Sequence, residues 1–162
     1  MNNSNCCEKQ ERTALFVGSF DPFTKGHADL VHRSLNLFDR LVIGIGVHPS
    51  KRPYFPVEKR LQQITNLYAS EPRVTVCTYT GLSIDLAKRY SANYMVRGVR
   101  SVTDFEYEQN MAQVNARLGG PETVLLLCDQ GLAHISSSAV RELLSWGMDV
   151  SEFLPQGMDV VL

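Results

Sequence analysis

The sequence predicts an α/β protein, a single domain with a Rossmann-like, doubly wound, five-stranded parallel sheet. Short runs rich in β-branched and apolar residues alternate with longer stretches of helical periodicity, as in proteins built from strand-helix units. Several runs, such as LVIGIGV and TVLLL, are apolar at nearly every position, which is typical of strands covered by helices on both faces. A chain of 162 residues suits one domain of this kind.

Five strand-helix units follow one another along the chain. The predicted strands span residues 14–17, 41–47, 74–79, 94–96 and 123–127. The predicted helices span residues 26–38, 57–70, 82–90, 102–118 and 138–146. Pro56 supports the start of the second helix, and the spacing of Thr103 and Glu106 predicts a capping box at the fourth. Ser136, Ser137 and Ser138 are candidate N-caps of the fifth helix.

The composition is that of a soluble globular protein, with 44% hydrophobic residues, 20% charged residues and a net charge of -1. Without a global basic field, nucleic acid is not an expected partner. The opening residues MNNSNCCEKQER contain no apolar core of a signal peptide, and no later stretch approaches the ~20 apolar residues of a membrane helix. We therefore expect a disordered tail over residues 1–12, a domain over 13–162, no membrane association and a cytoplasmic location.

The four cysteines indicate neither a zinc site nor a disulfide framework, because no C-x-x-C pattern occurs. Cys6 and Cys7 are adjacent in the tail. Cys77 and Cys128 lie in apolar strand-like runs, and we expect them to be small buried hydrophobic residues.

Ligands of such folds collect outside the carboxyl ends of the strands. At the first of these corners, GSFDPFTKGH, Gly18 allows close backbone approach, Ser19 offers a hydroxyl, and His27 lies at the start of a helix whose N–H groups suit an anion. The stretch is a candidate phosphate cradle, although it is neither a P-loop nor a GxGxxG motif. The alternative is a plain turn with His27 on the surface.

Three further corners add polar and basic groups. HPSKRPYF holds Lys51 between prolines, with a solvated surface charge as the alternative. VRGVRSVTDFEYE places Arg97 and Arg100 on either side of Gly98, a pair suited to bidentate phosphate contacts, and Glu108 follows on a helix face that is either part of the pocket or solvated. HISSSAVRE supplies hydroxyls that serve either as a cap or as an anion site. Together the corners favour a small polyphosphate ligand.

These motifs resemble those of the phosphopantetheine adenylyltransferase family, within the nucleotidylyltransferases that carry T-x-G-H and I-S-S-[ST]-x-x-R. Here the motifs are TKGH at 24–27 and ISSSAVR at 135–141, and the similarity extends over about residues 13–155. GSFDPFTKGH, PSK before a proline and RGVRSVTDFEYE distinguish this family from cytidylyl and nicotinamide mononucleotide relatives. The resemblance implies transfer of AMP from ATP to 4′-phosphopantetheine, a Mg²⁺ requirement, a homohexamer and inhibition by coenzyme A.

The resemblance also implies roles for individual residues. The phosphopantetheine site would comprise Ser19, Lys51, Ser83 and Arg97. The ATP site would comprise Ser19, Phe20, His27, Gly98, Val99, Arg100, Glu108, Leu132, Ala133, His134, Ile135, Ser136, Ser137 and Ser138. His27 is expected to stabilise the α-phosphate, Lys51 to orient the attacking phosphate, and Arg100 with the serine turn to hold the β- and γ-phosphates. No residue is expected to ligate a metal.

The chain departs from the family where an aromatic residue often precedes the serine motif, because Gly131, Leu132 and Ala133 stand there. What packs against adenine is therefore open. Two other functions also remain: a nucleotide-binding regulatory module without turnover, and a transferase that uses cytidine triphosphate or nicotinamide mononucleotide.

Overall fold

The computed structural model describes residues 11–50 and 52–158. Its strands are β1 (Thr13–Gly18), β2 (Arg40–Gly46), β3 (Val74–Tyr79), β4 (Tyr94–Val99) and β5 (Glu122–Leu127). Its helices are α1 (Lys25–Leu37), α2 (Val57–Leu67), α3 (Ser83–Arg89), α4 (Val102–Arg117) and α5 (Ser137–Ser145), and a 3-10 turn follows at Ser151–Phe153. The predicted alternation of strands and helices is confirmed.

The strands form one parallel sheet in the order β3-β2-β1-β4-β5, as the apolar strand runs predicted. β1 lies at the centre, and Leu15 is in register with Val42 of β2 on one side and Met95 of β4 on the other. The winding of the chain reverses between β1 and β4. In doubly wound sheets the crevice at the carboxyl ends of such a strand pair is the usual ligand site.

Helices cover both faces of the sheet. On one face Phe16 and Val96 pack with Leu30 of α1 and Ile64 of α2. On the other face Leu15 packs with residues of α3. Because successive strand residues point to opposite faces, both Leu15 and Phe16 are buried. The continuous apolar pattern of the strands follows from this double cover.

A third apolar cluster joins α5 and the segment after it to the loop that follows β2. Its buried members are Phe55, Val140, Leu144, Val150 and Leu154. Burial of a large apolar side chain contributes about 1.5–3 kcal/mol, so this cluster fixes the position of α5. The cluster therefore brings the predicted corners HPSKRPYF and HISSSAVRE close together in space.

Most predicted element ends are within one residue of the structure, and three predicted details are wrong by more than that. β4 continues to Val99 rather than ending at residue 96, because it pairs with β5 as far as Leu127. Arg97 and Gly98 are therefore strand residues. The predicted capping box at Thr103 does not form, because Ser101 caps α4 by accepting a hydrogen bond from the backbone N–H of Asp104 at 3.1 Å. α2 ends at Leu67, and a turn replaces its predicted last residues.

Cys77 and Cys128 are unpaired and only partly buried, so the prediction of full burial is wrong. Cys6 and Cys7, with the rest of residues 1–10, lie outside the described residues. Among the described helices, none has the length and apolar character needed to cross a membrane.

Candidate active site

The crevice between β1 and β4 opens into a cavity of about 400 Å³. Its size is in the range of small-molecule sites. Three of the predicted corners, GSFDPFTKGH, VRGVRSVTDFEYE and HISSSAVRE, contribute to its wall. The predicted residues that line it are Ser19, Phe20, His27, Arg97, Gly98, Arg100, Glu108, Leu132, Ile135, Ser136, Ser137 and Ser138.

Gly98 lies where α1 crosses β4, and there is little room for a side chain at this position. A Cβ atom at this position would overlap the Leu30 side chain and approach Cys128 Sγ to 3.3 Å. The missing side chain lets α1 lie close against the strand, which places the first turn of α1 at the edge of the cavity.

His27 lies in the first turn of α1 among three phenylalanine rings. Its ring centroid is 6.2 Å from that of Phe16, 5.1 Å from Phe20 and 5.2 Å from Phe23. Phe20 itself has a left-handed backbone, with φ of 47°, a conformation uncommon for a bulky residue and often found at functional sites. The His27 ring is thus shielded from water on the sides away from the cavity.

Thr24 sets the tautomer of His27. The backbone N–H of Thr24 donates a hydrogen bond to Nδ1 of His27 at 3.0 Å. In the neutral imidazole the proton therefore lies on Nε2, which is left free to donate. The three-residue spacing of the TKGH motif follows from this contact. Thr24 is the residue before α1, and His27 lies in the first turn of α1, where its ring reaches the backbone of Thr24.

Burial, together with the smaller effects of the charges of Arg100 and Arg97, lowers the pKa of His27 from 6.5 to about 4. At neutral pH the ring is uncharged. It can donate a hydrogen bond from Nε2 to an anion in the cavity, but it does not act as a cation there.

The low pKa of His27 predicts an acid-sensitive stability. As the pH falls below 6.5 the unfolded chain takes up a proton on His27 while the folded chain does not, until the pH reaches about 4. The free energy of unfolding should therefore fall by about 2–3 kcal/mol from this group between pH 7.5 and 4.5. Denaturant unfolding at both pH values measures this, and a His27→Gln variant with the same pH dependence as the wild type would contradict it.

Arg97 and Glu108 form a bidentate pair across the cavity wall. Arg97 Nε donates to Glu108 Oε2 at 2.8 Å, and its Nη2 donates to Oε1 at 2.6 Å. Arg97 also donates to the backbone carbonyl of Val17 at 2.7 Å. Burial opposes the charge of Arg97, but the hydrogen bonds and charge of Glu108 outweigh burial and raise its pKa. Arg97 is therefore a fixed positive group, and Glu108 belongs to the cavity rather than to a solvated face.

Arg100 is more exposed and pairs with Asp104 one helical turn away, at 3.0 Å. An exposed pair of this kind contributes little to stability, about 0–1 kcal/mol. The guanidinium is accordingly free to exchange its carboxylate partner for a phosphate at little cost.

The serine motif closes the cavity from the side of α5. Ser136 caps α5, since its Oγ accepts the backbone N–H of Ala139 at 3.1 Å. Ser137 Oγ donates to the carbonyl of Pro22 at 2.8 Å. The start of α5 is thereby attached to the first corner, and its first-turn N–H groups lie at the cavity, where they suit an anion.

Asp21 and Arg60 hold the loop after β2 against the first corner. The buried carboxylate of Asp21 accepts the backbone N–H groups of Tyr54 at 2.7 Å and Phe55 at 2.9 Å. Arg60 donates to the carbonyls of Phe55 and Ser19. Lys51 lies outside the described residues, but this loop contains it. Sequence reasoning missed Asp21 and Arg60 because their partners are 33 and 41 residues away.

A smaller cavity of about 120 Å³ adjoins the first through Arg97 and Glu108, which line both. It contains Ser83, which like Arg97 is expected at the phosphopantetheine site. Its remaining wall is mostly apolar or amide in character and comprises Val17, Met95, Tyr107, Met111, Ala112, Asn115 and Thr123.

Three residues expected at the ATP site do not line the cavity. Val99 is buried in β4, and Ala133 lies outside the wall. His134 is exposed and its ring contacts Phe153 edge-to-face, with centroids 6.4 Å apart. Leu132 is in the wall. It is one of the residues just before the serine motif, where the family often has an aromatic residue.

The assembled site is suited to an anion, and the described residues of its wall include no paired acid and base. Three arginines, a neutral histidine N–H, serine hydroxyls and a helix N-terminus converge on one cavity. Both carboxylates in its wall, Asp104 and Glu108, are engaged by arginines. Within residues 11–50 and 52–158, no group of three acidic, histidine or cysteine side chains is arranged to hold a metal ion.

The sheet topology and the position of this cavity fit a nucleotidyltransferase, and the comparison with known proteins shows that class. Residues 15–143 match the model of the family described as Cytidylyltransferase-like. A phosphopantetheine adenylyltransferase of Porphyromonas gingivalis is 54% identical over 91% of this chain and 97% of its own length. Those of Bacteroides thetaiotaomicron and Flavobacterium johnsoniae are 48% and 44% identical over 92% of this chain, and over 99% and 98% of their own lengths. The chain belongs to the phosphopantetheine adenylyltransferase family.

Proposed function

We propose that the chain transfers the AMP moiety of ATP to 4′-phosphopantetheine and releases dephospho-coenzyme A and pyrophosphate, a step of coenzyme A biosynthesis. The observation that carries this proposal is the pair of cavities joined at Arg97. The larger one suits a nucleoside triphosphate. The smaller, mostly apolar one suits an acceptor whose phosphate reaches the shared wall.

The reaction needs no protein base. The acceptor is a phosphate monoester with a second pKa near 6, so it is mainly a dianion at neutral pH and can attack the α-phosphate directly. We propose in-line attack without a covalent intermediate. Holding the two reactants in this alignment supplies about 7–11 kcal/mol. Among the described residues in the wall of the larger cavity no acid-base pair occurs, which agrees with this mechanism.

Each polar group then has a role. Nε2 of His27 donates to the α-phosphate oxygen on which charge builds up. Arg100 and the serines at the start of α5 hold the β- and γ-phosphates. Ser19 and Lys51 hold the acceptor phosphate, and Ser83 with Arg97 holds the rest of the acceptor. The apolar side chains of Leu132 and Ile135 in the wall offer a surface for adenine.

We further propose Mg²⁺ as the cofactor, brought to the site by ATP. Mg²⁺ keeps several waters and is commonly bound by substrate phosphates with few protein ligands. This fits the site because Asp104 and Glu108 are already paired with arginines. When bound, the ion would offset charge on the β- and γ-phosphates, and the chain's own part is to orient those phosphates with Arg100 and the serine turn.

A pyrophosphate-release assay over pairs of substrates tests the function. ATP and cytidine triphosphate are each combined with 4′-phosphopantetheine and with nicotinamide mononucleotide. We expect release with ATP and 4′-phosphopantetheine alone. Release with another pair would reassign the substrate class, whereas ATP binding without release from any pair would indicate a regulatory module.

We propose that the chain forms a homohexamer through α4. Tyr107, Met111, Val114 and Leu118 follow one another at helical spacing, and from 37% to 61% of each is exposed in the single chain. A continuous apolar stripe of this kind is a common sign of an interface. The contact would then lie on a helix, and the resemblance to a family that usually forms hexamers suggests the size of the assembly.

A Val114→Glu variant should dissociate the assembly, because it places a charge in the middle of the stripe. Light scattering measures the mass of the wild type and the variant. Val102→Glu is the matched control, since Val102 is 75% exposed on the other side of the same helix. A monomeric wild type at working concentration would contradict the assembly.

Coenzyme A inhibition and a cytoplasmic location complete the proposal. Coenzyme A shares the pantetheine arm and the adenylate of the proposed product, so it can occupy both cavities. It should raise the KM for ATP in steady-state assays.

The use of ATP favours the cytoplasm as the place of the reaction.

A further inference from the structure

Asp104 is one of two carboxylates among the described residues that line the larger, nucleotide cavity. It lies in the first turn of α4, and 30% of its side chain is exposed. A negative group in this wall is unexpected, because it repels the phosphates that the cavity is proposed to bind. The reaction proposed above gives Asp104 no direct role.

The two carboxylates differ in how firmly their charge is compensated. Glu108 is buried, and its two oxygens accept hydrogen bonds from Arg97 at 2.8 Å and 2.6 Å. Asp104 pairs with Arg100 through a single oxygen, which accepts Nε at 3.0 Å. Breaking a buried bidentate pair costs far more than breaking an exposed one. An arriving phosphate can therefore take Arg100 from Asp104, whereas Glu108 keeps its partner.

Asp104 keeps its place and its charge when Arg100 turns to a phosphate. Its Oδ2 also accepts the backbone N–H of Arg100 at 3.2 Å, and its own backbone N–H donates to Oγ of Ser101 at 3.1 Å. The N-terminus of α4 favours a negative charge in the first turn. Once the Arg100 side chain has left, Asp104 is thus an uncompensated negative group in the wall of the occupied cavity.

We propose that Asp104 makes the cavity select the magnesium-bound form of ATP over the metal-free form, an inference that rests on the proposed function. Metal-free ATP brings its full negative charge to the wall, and part of this charge is offset when Mg²⁺ is bound to the phosphates. The uncompensated carboxylate therefore disfavours the metal-free form more. Selection of this kind depends on repulsion of the wrong ligand, and no contact between Asp104 and the ion is required.

Calorimetric titration with ATP tests this selection, once in the presence of EDTA and once with excess Mg²⁺. The quantity compared is the Kd for metal-free ATP divided by the Kd for magnesium-bound ATP. Asp104→Asn removes the charge but keeps an oxygen that can accept the N–H groups of Arg100, so the start of α4 is retained. We expect this ratio to fall by about fivefold or more in Asp104→Asn and to stay within about twofold of the wild type in Asp104→Glu.

Asp29→Asn is the matched control. Asp29 pairs with Arg33 at the same four-residue spacing, at 3.2 Å, but it does not line the nucleotide cavity. Its loss should leave the ratio of the two Kd values as in the wild type. Added salt should shrink the difference between Asp104→Asn and the wild type, because salt screens partly exposed charges.

Equal tightening of both forms of ATP in Asp104→Asn would overturn the proposal, because Asp104 would then only compete with phosphate for Arg100. Unchanged affinities for both forms would overturn it as well.

Steady-state assays at a fixed Mg²⁺ concentration give a second readout. ATP in excess over the ion should inhibit Asp104→Asn more strongly than the wild type, and equal inhibition of the two would contradict the selection. A wild type that binds ATP but shows no turnover with 4′-phosphopantetheine would refute the proposed function, and the ratio of Kd values would still test the role of Asp104. A wild type that binds neither form of ATP would refute both.

Discussion

Replacing His27 by alanine is expected to lower kcat by about two to three orders of magnitude and to leave the KM for ATP nearly unchanged. The ring is held by Thr24 so that its Nε2–H points away from the helix cap, in the wall of the nucleotide cavity. A donor fixed in this way stabilises charge that develops on the α-phosphate more than it binds the ground state. Steady-state kinetics of both substrates measure the effect.

His32→Ala is the matched control for this experiment. His32 lies on the same helix but is exposed, so its loss should leave kcat within a factor of about two. His27→Gln separates chemistry from packing, because it keeps a polar side chain among the phenylalanine rings. A kcat of His27→Ala within about tenfold of the wild type would remove His27 from the proposed role.

The Asp21→Ala variant should lose about 4 kcal/mol of folding free energy, the largest stability effect we predict for a polar residue. The change leaves the N–H groups of Tyr54 and Phe55 without their acceptor in a buried position. It should also raise the KM for 4′-phosphopantetheine by about tenfold or more, because the released loop contains Lys51. Denaturant unfolding and steady-state kinetics measure the two effects.

Asp85→Ala provides the comparison, since Asp85 is exposed at the start of α3 and its loss should cost less than about 1 kcal/mol. Asp21→Asn retains one oxygen acceptor and should fall between the two. If Asp21→Ala were as stable as Asp85→Ala, the two hydrogen bonds could not hold the loop in the way described.

The fold was predictable because its signals are local. Runs such as LVIGIGV identify strands buried on both faces, and proline or serine identifies helix starts. The errors lie at element ends, where tertiary pairing decides. β4 extends past residue 96 because β5 offers partners for Arg97 and Gly98, and no local pattern reveals a partner about 28 residues away.

The candidate site was predictable only in part. Residues that follow strands, such as Ser19 and Arg100, could be placed from the rule that strand ends meet at one edge. The orientation of His27 by Thr24 could have been found from their three-residue spacing at a helix start. The contacts of Asp21 and Arg60 could not, because each joins two corners that only the folded sheet brings together.

The central position of β1 has a consequence for how the protein acquires its activity during folding. The residues of β1 are about 27 positions from their partners in β2 and about 80 positions from their partners in β4. Pairing of β1 with β2 therefore closes a much shorter loop than pairing of β1 with β4. Contacts between distant residues form slowly. The nucleotide crevice exists only once that distant pairing is complete, and nucleotide binding should therefore be among the last properties regained on refolding.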